Sequence, residues 1–249
     1  MLHPSASALP TGPAPDLLAH ARDRFGGSAY DWVSTALRGV EGPVAHLRSA
    51  PAYPADRLTV RLDRAHSPGP PSADASPAAV RRSTVGDSAE ADPRRLPVRT
   101  DALAGIAAVM CLPTVRALDE LFGELRRVLR PTGTLAALVP ARPRRPLIAR
   151  RGAASLPPGP PFRHPAARDH LAWLFAAADF AVLHDERRVF WIAPPAPPTD
   201  ELTRALTDSG VWPPDPDGGI PHTAQRTLDR LARSDRRVAV PLRLLIGRR

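Results

Sequence analysis

The chain has 249 residues, with 34 basic against 25 acidic groups, 32 prolines and a single cysteine. That length allows one large domain or two small ones, and it buries enough surface to fold without a disulfide or metal staple. With Cys111 alone, an intrachain disulfide and any zinc site built on several thiolates are excluded.

Residues 1–15 carry neither a basic start nor a continuous apolar stretch, so no signal peptide is expected and the segment reads as a disordered tail. No run of about 18 apolar residues exists to span a membrane. A cytoplasmic protein is the expectation. The net charge of +9 raises the question of nucleic acid. Every basic residue is arginine, however, and the chain contains no Lys and no Asn. That is the codon usage of a GC-rich genome, as in high-GC bacteria. The arginines are also scattered in pairs, such as Arg81-Arg82 and Arg187-Arg188, where a phosphate-binding stripe needs one face. Neither a nucleic acid nor a membrane is expected as partner.

Most prolines crowd into residues 1–15, 66–97, 140–165 and 194–221. Proline removes a backbone donor and breaks element interiors, so the last three stretches read as insertions in a single domain over 16–249. Between them the chain alternates helix and strand patterns. Helices are expected at 16–24 and 29–40, the second with Tyr30, Val33 and Leu37 on one face. Short strands follow at 43–47 and 57–62. Residues 105–111 form a continuous apolar run, as a strand buried on both faces requires. Residues 115–129 carry one apolar stripe (Val115, Leu118, Leu121, Phe122, Leu125, Val128), and Pro131 and Gly133 end that helix before a strand at 134–139.

Downstream, the pattern predicts a helix at 170–178, a strand at 180–183, a turn at His184-Asp185-Glu186 and a strand at 188–193. Helices at 201–209 and 223–233 and an apolar run at 238–246 complete the chain. This alternation predicts an α/β fold with a mostly parallel sheet, helices on both faces and an antiparallel C-terminal edge.

The segment Glu124-Leu125-Arg126-Arg127-Val128-Leu129-Arg130-Pro131-Thr132-Gly133-Thr134-Leu135 resembles the E-x-x-R-V-L-R-P-G-G-x-L passage of class I S-adenosylmethionine-dependent methyltransferases, and of bacterial type 11 members in particular. Thr132 replaces the first glycine. The resemblance runs back through 105–115, the family's fourth strand, and through Gly86-Asp87-Ser88-Ala89-Glu90 with Leu96-Pro97, similar to the family's G-D-A-x-x-L-P after strand three. It implies a Rossmann-like, seven-stranded fold and S-adenosylmethionine as cofactor. Asp63, closing the strand at 57–62, matches the acid that accepts the ribose hydroxyls. Asp87 matches the acid that accepts the adenine amino group. Arg48, Ser49 and Leu112 are expected to line the crevice at the carboxyl ends of the strands.

The first half of that site departs from the family. Where the family reads V-L-D-L-G-C-G-x-G, this chain reads Val44-Ala45-His46-Leu47-Arg48-Ser49-Ala50-Pro51-Ala52. Histidine stands for the acid, and the glycines that let backbone approach a cofactor are gone. Positions 46 to 63 also leave less chain than a full loop plus helix, and Pro51 and Pro54 stand where the helix would run. Ala104 replaces a further family acid.

Other chemistry is sparse. No histidine pair has metal-ligand spacing, and the chain lacks both G-x-S-x-G and a P-loop. Leu112-Pro113-Thr114 stands where methyltransferases of nucleobase amines carry Asn- or Asp-Pro-Pro-aromatic. His164 and His170 are candidates to face a substrate. Cys111 is near the expected methyl position but reads as packing. No catalytic residue and no metal site can be assigned. Two functions are expected: methyl transfer from S-adenosylmethionine to a small-molecule acceptor, or a catalytically inactive relative acting as a binding or scaffold subunit with a protein partner. Arg48 and Tyr53 filling the crevice would mark the second.

Overall fold

A computed structural model describes residues 16–49, 57–63, 88–142, 153–193, 198–213 and 222–249. In chain order these form α1 (Leu17–His20), α2 (Ala29–Ala36), β1 (Val44–Ser49), β2 (Leu58–Asp63), β3 (Ser88–Ala91), β4 (Leu103–Val109), α3 (Leu118–Val128), β5 (Leu129–Pro140), β6 (Ala153–Ser155), α4 (Pro165–Asp169), α5 (Leu171–Ala177), β7 (Ala181–Ile192), α6 (Thr199–Asp208), α7 (His222–Ala232) and β8 (Arg237–Arg248).

One sheet runs β3-β2-β1-β4-β5-β8, and β8 pairs further with β7, antiparallel on the edge away from β5, and with β6, parallel at Arg237–Ala239. Its centre is parallel, β1 beside β4 and β4 beside β5. Every residue of β4 is buried, because helices cover both faces. Ala107 and Val109 pack with Trp32, Leu202 and Leu228 on one side. Ile106 and Ala108 pack with Leu121, Leu125 and Phe175 on the other. The α3 stripe is buried as its spacing requires: Leu118, Leu121, Phe122, Leu125 and Val128. The helix ends at Val128, and Thr132 takes a positive φ of 66° where the family passage has glycine. This is an α/β fold with a parallel centre, and it has an eighth strand, β6, beyond the expected seven.

Two expectations are corrected at the flanks. The turn expected at His184-Asp185-Glu186 is instead the interior of β7, which pairs antiparallel with β8 along its whole length with one irregularity between Val182 and His184. Asp185 there faces Arg243 of β8, which is 5% exposed and donates through Nε and Nη2 at 2.7 and 2.6 Å. A buried cation therefore makes that acidic stretch a strand.

The larger correction concerns β2. It runs antiparallel to β1, with Val44 opposite Asp63 and Ser49 opposite Leu58. A parallel return needs a crossover of about a dozen residues or more, and only residues 50–57 are available. The chain can only double back. Then β3 pairs antiparallel with β2, and it begins at Ser88, directly after the Gly86-Asp87 that the resemblance sets after the third strand.

Candidate functional site at the carboxyl edge

The strand order reverses between β1 and β4, so the crevice of this α/β sheet lies beyond Ser49 and Val109. Ser49 and Leu112 are both there. Thr114 Oγ1 donates to the Cys111 carbonyl at 3.1 Å and so accepts from Ser49 Oγ at 2.8 Å. Leu112 is fully buried, a core residue under the crevice. Met110 leaves β4 at φ 58°, and Gly210, past the end of α6, packs against its side chain at φ 75°. A Cβ on Gly210 would sit 2.7 Å from Met110 Cβ, so glycine is required where this cover meets the strand end.

Arg48 does not stand free at the crevice. Its Nη1 lies 3.3 Å from Asp16 Oδ2, the residue capping α1, and its guanidinium stacks 5.4 Å from the Tyr30 ring centre. Tyr30 Oη donates to the same carboxylate at 2.8 Å, and burial pushes its hydroxyl pKa well above the usual phenol. The α1–α2 corner therefore closes over the end of β1. Tyr53 and Asp87 lie outside the described residues.

Asp63 is elsewhere. Reversal of β2 sets it beside Val44, five residues down β1 from Ser49, or about 17 Å at strand rise. There Asp63 Oδ2 meets His46 Nε2 at 3.0 Å. Burial lowers the His46 pKa, with the Arg61 charge acting the same way, against the pull of Asp63. The histidine at position 46 thus pairs with Asp63 at the amino edge. Asp63 and the pair Arg48 and Ser49 therefore lie at opposite ends of β1 and do not come together.

Cys111 is fully buried, and its thiol is pushed up to about 12 by that burial, which makes it a packing group. His164 is tied by its backbone N–H to the Pro113 carbonyl at 3.0 Å, and its Nε2 is buried without a partner among the described residues. No three His, Cys, Asp or Glu of the described residues come together as a metal site. No helix among them is long and apolar enough to cross a membrane.

The open space lies one strand further along. A cavity of about 420 Å³ opens at the carboxyl end of β5, between Pro140–Arg142, the loop before α4, the start of β8, and Val211 and Trp212. Gly159 lies flat on the Trp212 indole; a Cβ there would come within 2.7 Å of the ring. Arg168 of α4 faces Phe162 at 5.2 Å and forks onto Asp169 at 3.0 and 3.2 Å, and Arg142 Nη2 reaches the same carboxylate at 2.9 Å. Burial raises the Asp169 pKa, but the bonds and charge of Arg168 and the charge of Arg142 outweigh it and hold the carboxyl below its usual range. This wall is not visible in the sequence pattern, because residues 140–168 meet Trp212 and the start of β8, which are distant along the chain.

No family model and no curated protein matches the chain. Solved structures do resemble it. SpnF, a [4+2]-cyclase, shares 17% identity over 64% of this chain and 54% of its own, with a TM-score of 0.34. The YcgJ protein of Bacillus subtilis shares 14% over 64% and 69%, at 0.36. An S-adenosylmethionine-dependent methyltransferase from Mesorhizobium loti shares 20% over 64% and 68%, at 0.31. The chain thus spans about half of the first and about two thirds of the others.

Proposed function

We propose that this chain is a methyltransferase-fold protein that no longer uses S-adenosylmethionine and acts as a binding protein, taking a small molecule into the cavity at the carboxyl end of β5. The reading rests on the direction of β2. A cofactor laid along the carboxyl edge needs its acids at that edge, and the antiparallel return holds Asp63 at the other. The Arg48–Asp16–Tyr30 cluster over β1 supports the same reading. Several arginines are engaged by acids within the fold, as in Arg127–Glu124, Arg188–Asp23 and Arg243–Asp185, which weighs against nucleic acid as the ligand.

Calorimetric titration with S-adenosylmethionine and S-adenosylhomocysteine tests this. No heat is expected at millimolar ligand. Micromolar binding that Arg48→Ala abolishes would overturn it. That outcome would favour the second reading, methyl transfer to a small-molecule acceptor, which draws support from Ser49 and Thr114 at the point where strand order reverses.

A further inference from the structure

We infer that the ligand of the cavity is a flat apolar monoanion, a carboxylate on an aromatic or similarly rigid body. This rests on the cavity being the binding site, as proposed above. Its walls are largely apolar, with Ser155, Arg142 and Arg168 the polar side chains among the lining residues. The prolines of the loop before α4 have no N–H to donate, and the rings of Phe162 and Trp212 line the space. At about 420 Å³ the space falls within the roughly 300–1,000 Å³ of small-molecule sites.

The charged groups on this lining are Arg142 and Arg168, and no acid of the described residues is among them. Asp169 lies behind and serves both guanidiniums. Two cations on one carboxylate leave one positive charge facing the space. Arg243, the other cation nearby, makes its short contacts to Asp185. The excess suits a single negative charge. It also suits a planar one, because a guanidinium matches a carboxylate edge to edge. Arg168 is already set in plane by its fork on Asp169 and its stacking on Phe162. Arg142, with a side chain 68% exposed, supplies the arm that can close on the ligand.

Three probes of one shape and different charge test this: naphthoate, naphthamide and naphthylmethylammonium, titrated calorimetrically into the full chain. Naphthoate should bind about tenfold or more tighter than naphthamide, as expected for a hydrogen bond to a charged group, and the ammonium should not bind. Arg142→Gln, at a surface position that folding tolerates, should bring acid and amide together. Trp212→Leu should weaken both alike. Equal binding of acid and amide, or tighter binding of the ammonium, overturns the inference and leaves the small-molecule reading standing. Failure of all three probes to bind overturns the inference and that reading together.

Discussion

Replacing Asp185 with alanine should cost about 3 kcal/mol of folding stability. Arg243 is 5% exposed in β8, between β5 and β7, and two of its nitrogens reach Asp185 at 2.7 and 2.6 Å. Removing the acceptor leaves a guanidinium charge without its counter-ion in a nearly dry setting, which costs roughly 3–5 kcal/mol. The Asp185 side chain is 36% exposed, so water can replace part of the lost interaction, and the lower end applies. In a chain of this size, about 3 kcal/mol lowers Tm by roughly 6–12 °C. Urea unfolding, followed by tryptophan fluorescence and circular dichroism together, measures the loss. The double variant Asp185→Ala/Arg243→Met removes charge and partner at once and should recover most of it. A loss below about 1 kcal/mol for the single variant, or a double variant no more stable than the single, would refute the reasoning.

Three other outcomes follow from the packing and the charges. Gly159→Ala drives a methyl to within 2.7 Å of the Trp212 ring, so the loop must lift and naphthoate affinity should fall at least about tenfold by calorimetry, with secondary structure unchanged. Leu121→Ala, at a fully buried α3 position among Leu125, Phe122 and Val139, should lose about 3 kcal/mol in urea unfolding. His46 binds a proton less readily folded than unfolded, so its contribution is intact above its unfolded value near 6.5 and is lost as pH falls through and below it. The His46→Gln protein should accordingly lose less stability than the native chain between about pH 7 and pH 5, measured as the difference in Tm.

The centre of the sheet was legible in the sequence because its physics is local. A run such as 105–111 must be buried on both faces, and the stripe from Leu118 to Val128 permits one helix orientation. The direction of β2 is a different matter. Leu58, Val60 and their polar neighbours alternate identically whichever way the strand runs, so the pattern placed the strand and its end at Asp63 without placing the end in space. The needed information was the length of 50–57, too short for a crossover, together with Pro51 and Pro54 where a helix would run. In the same way, His184-Asp185-Glu186 reads as a turn until Arg243, far along the chain, is brought opposite it. The cavity was hidden for that reason too: Gly159 matters only because Trp212 lies on it.

Backbone nuclear Overhauser contacts between β1 and β2, recorded on deuterated protein, test the central claim most directly. The account predicts antiparallel contacts, Val44 with Asp63, Leu47 with Val60 and Ser49 with Leu58. Contacts that instead bring Asp63 to Ser49 and Leu58 to Val44 would make β2 parallel, return Asp63 to the carboxyl edge and contradict the proposed loss of cofactor use.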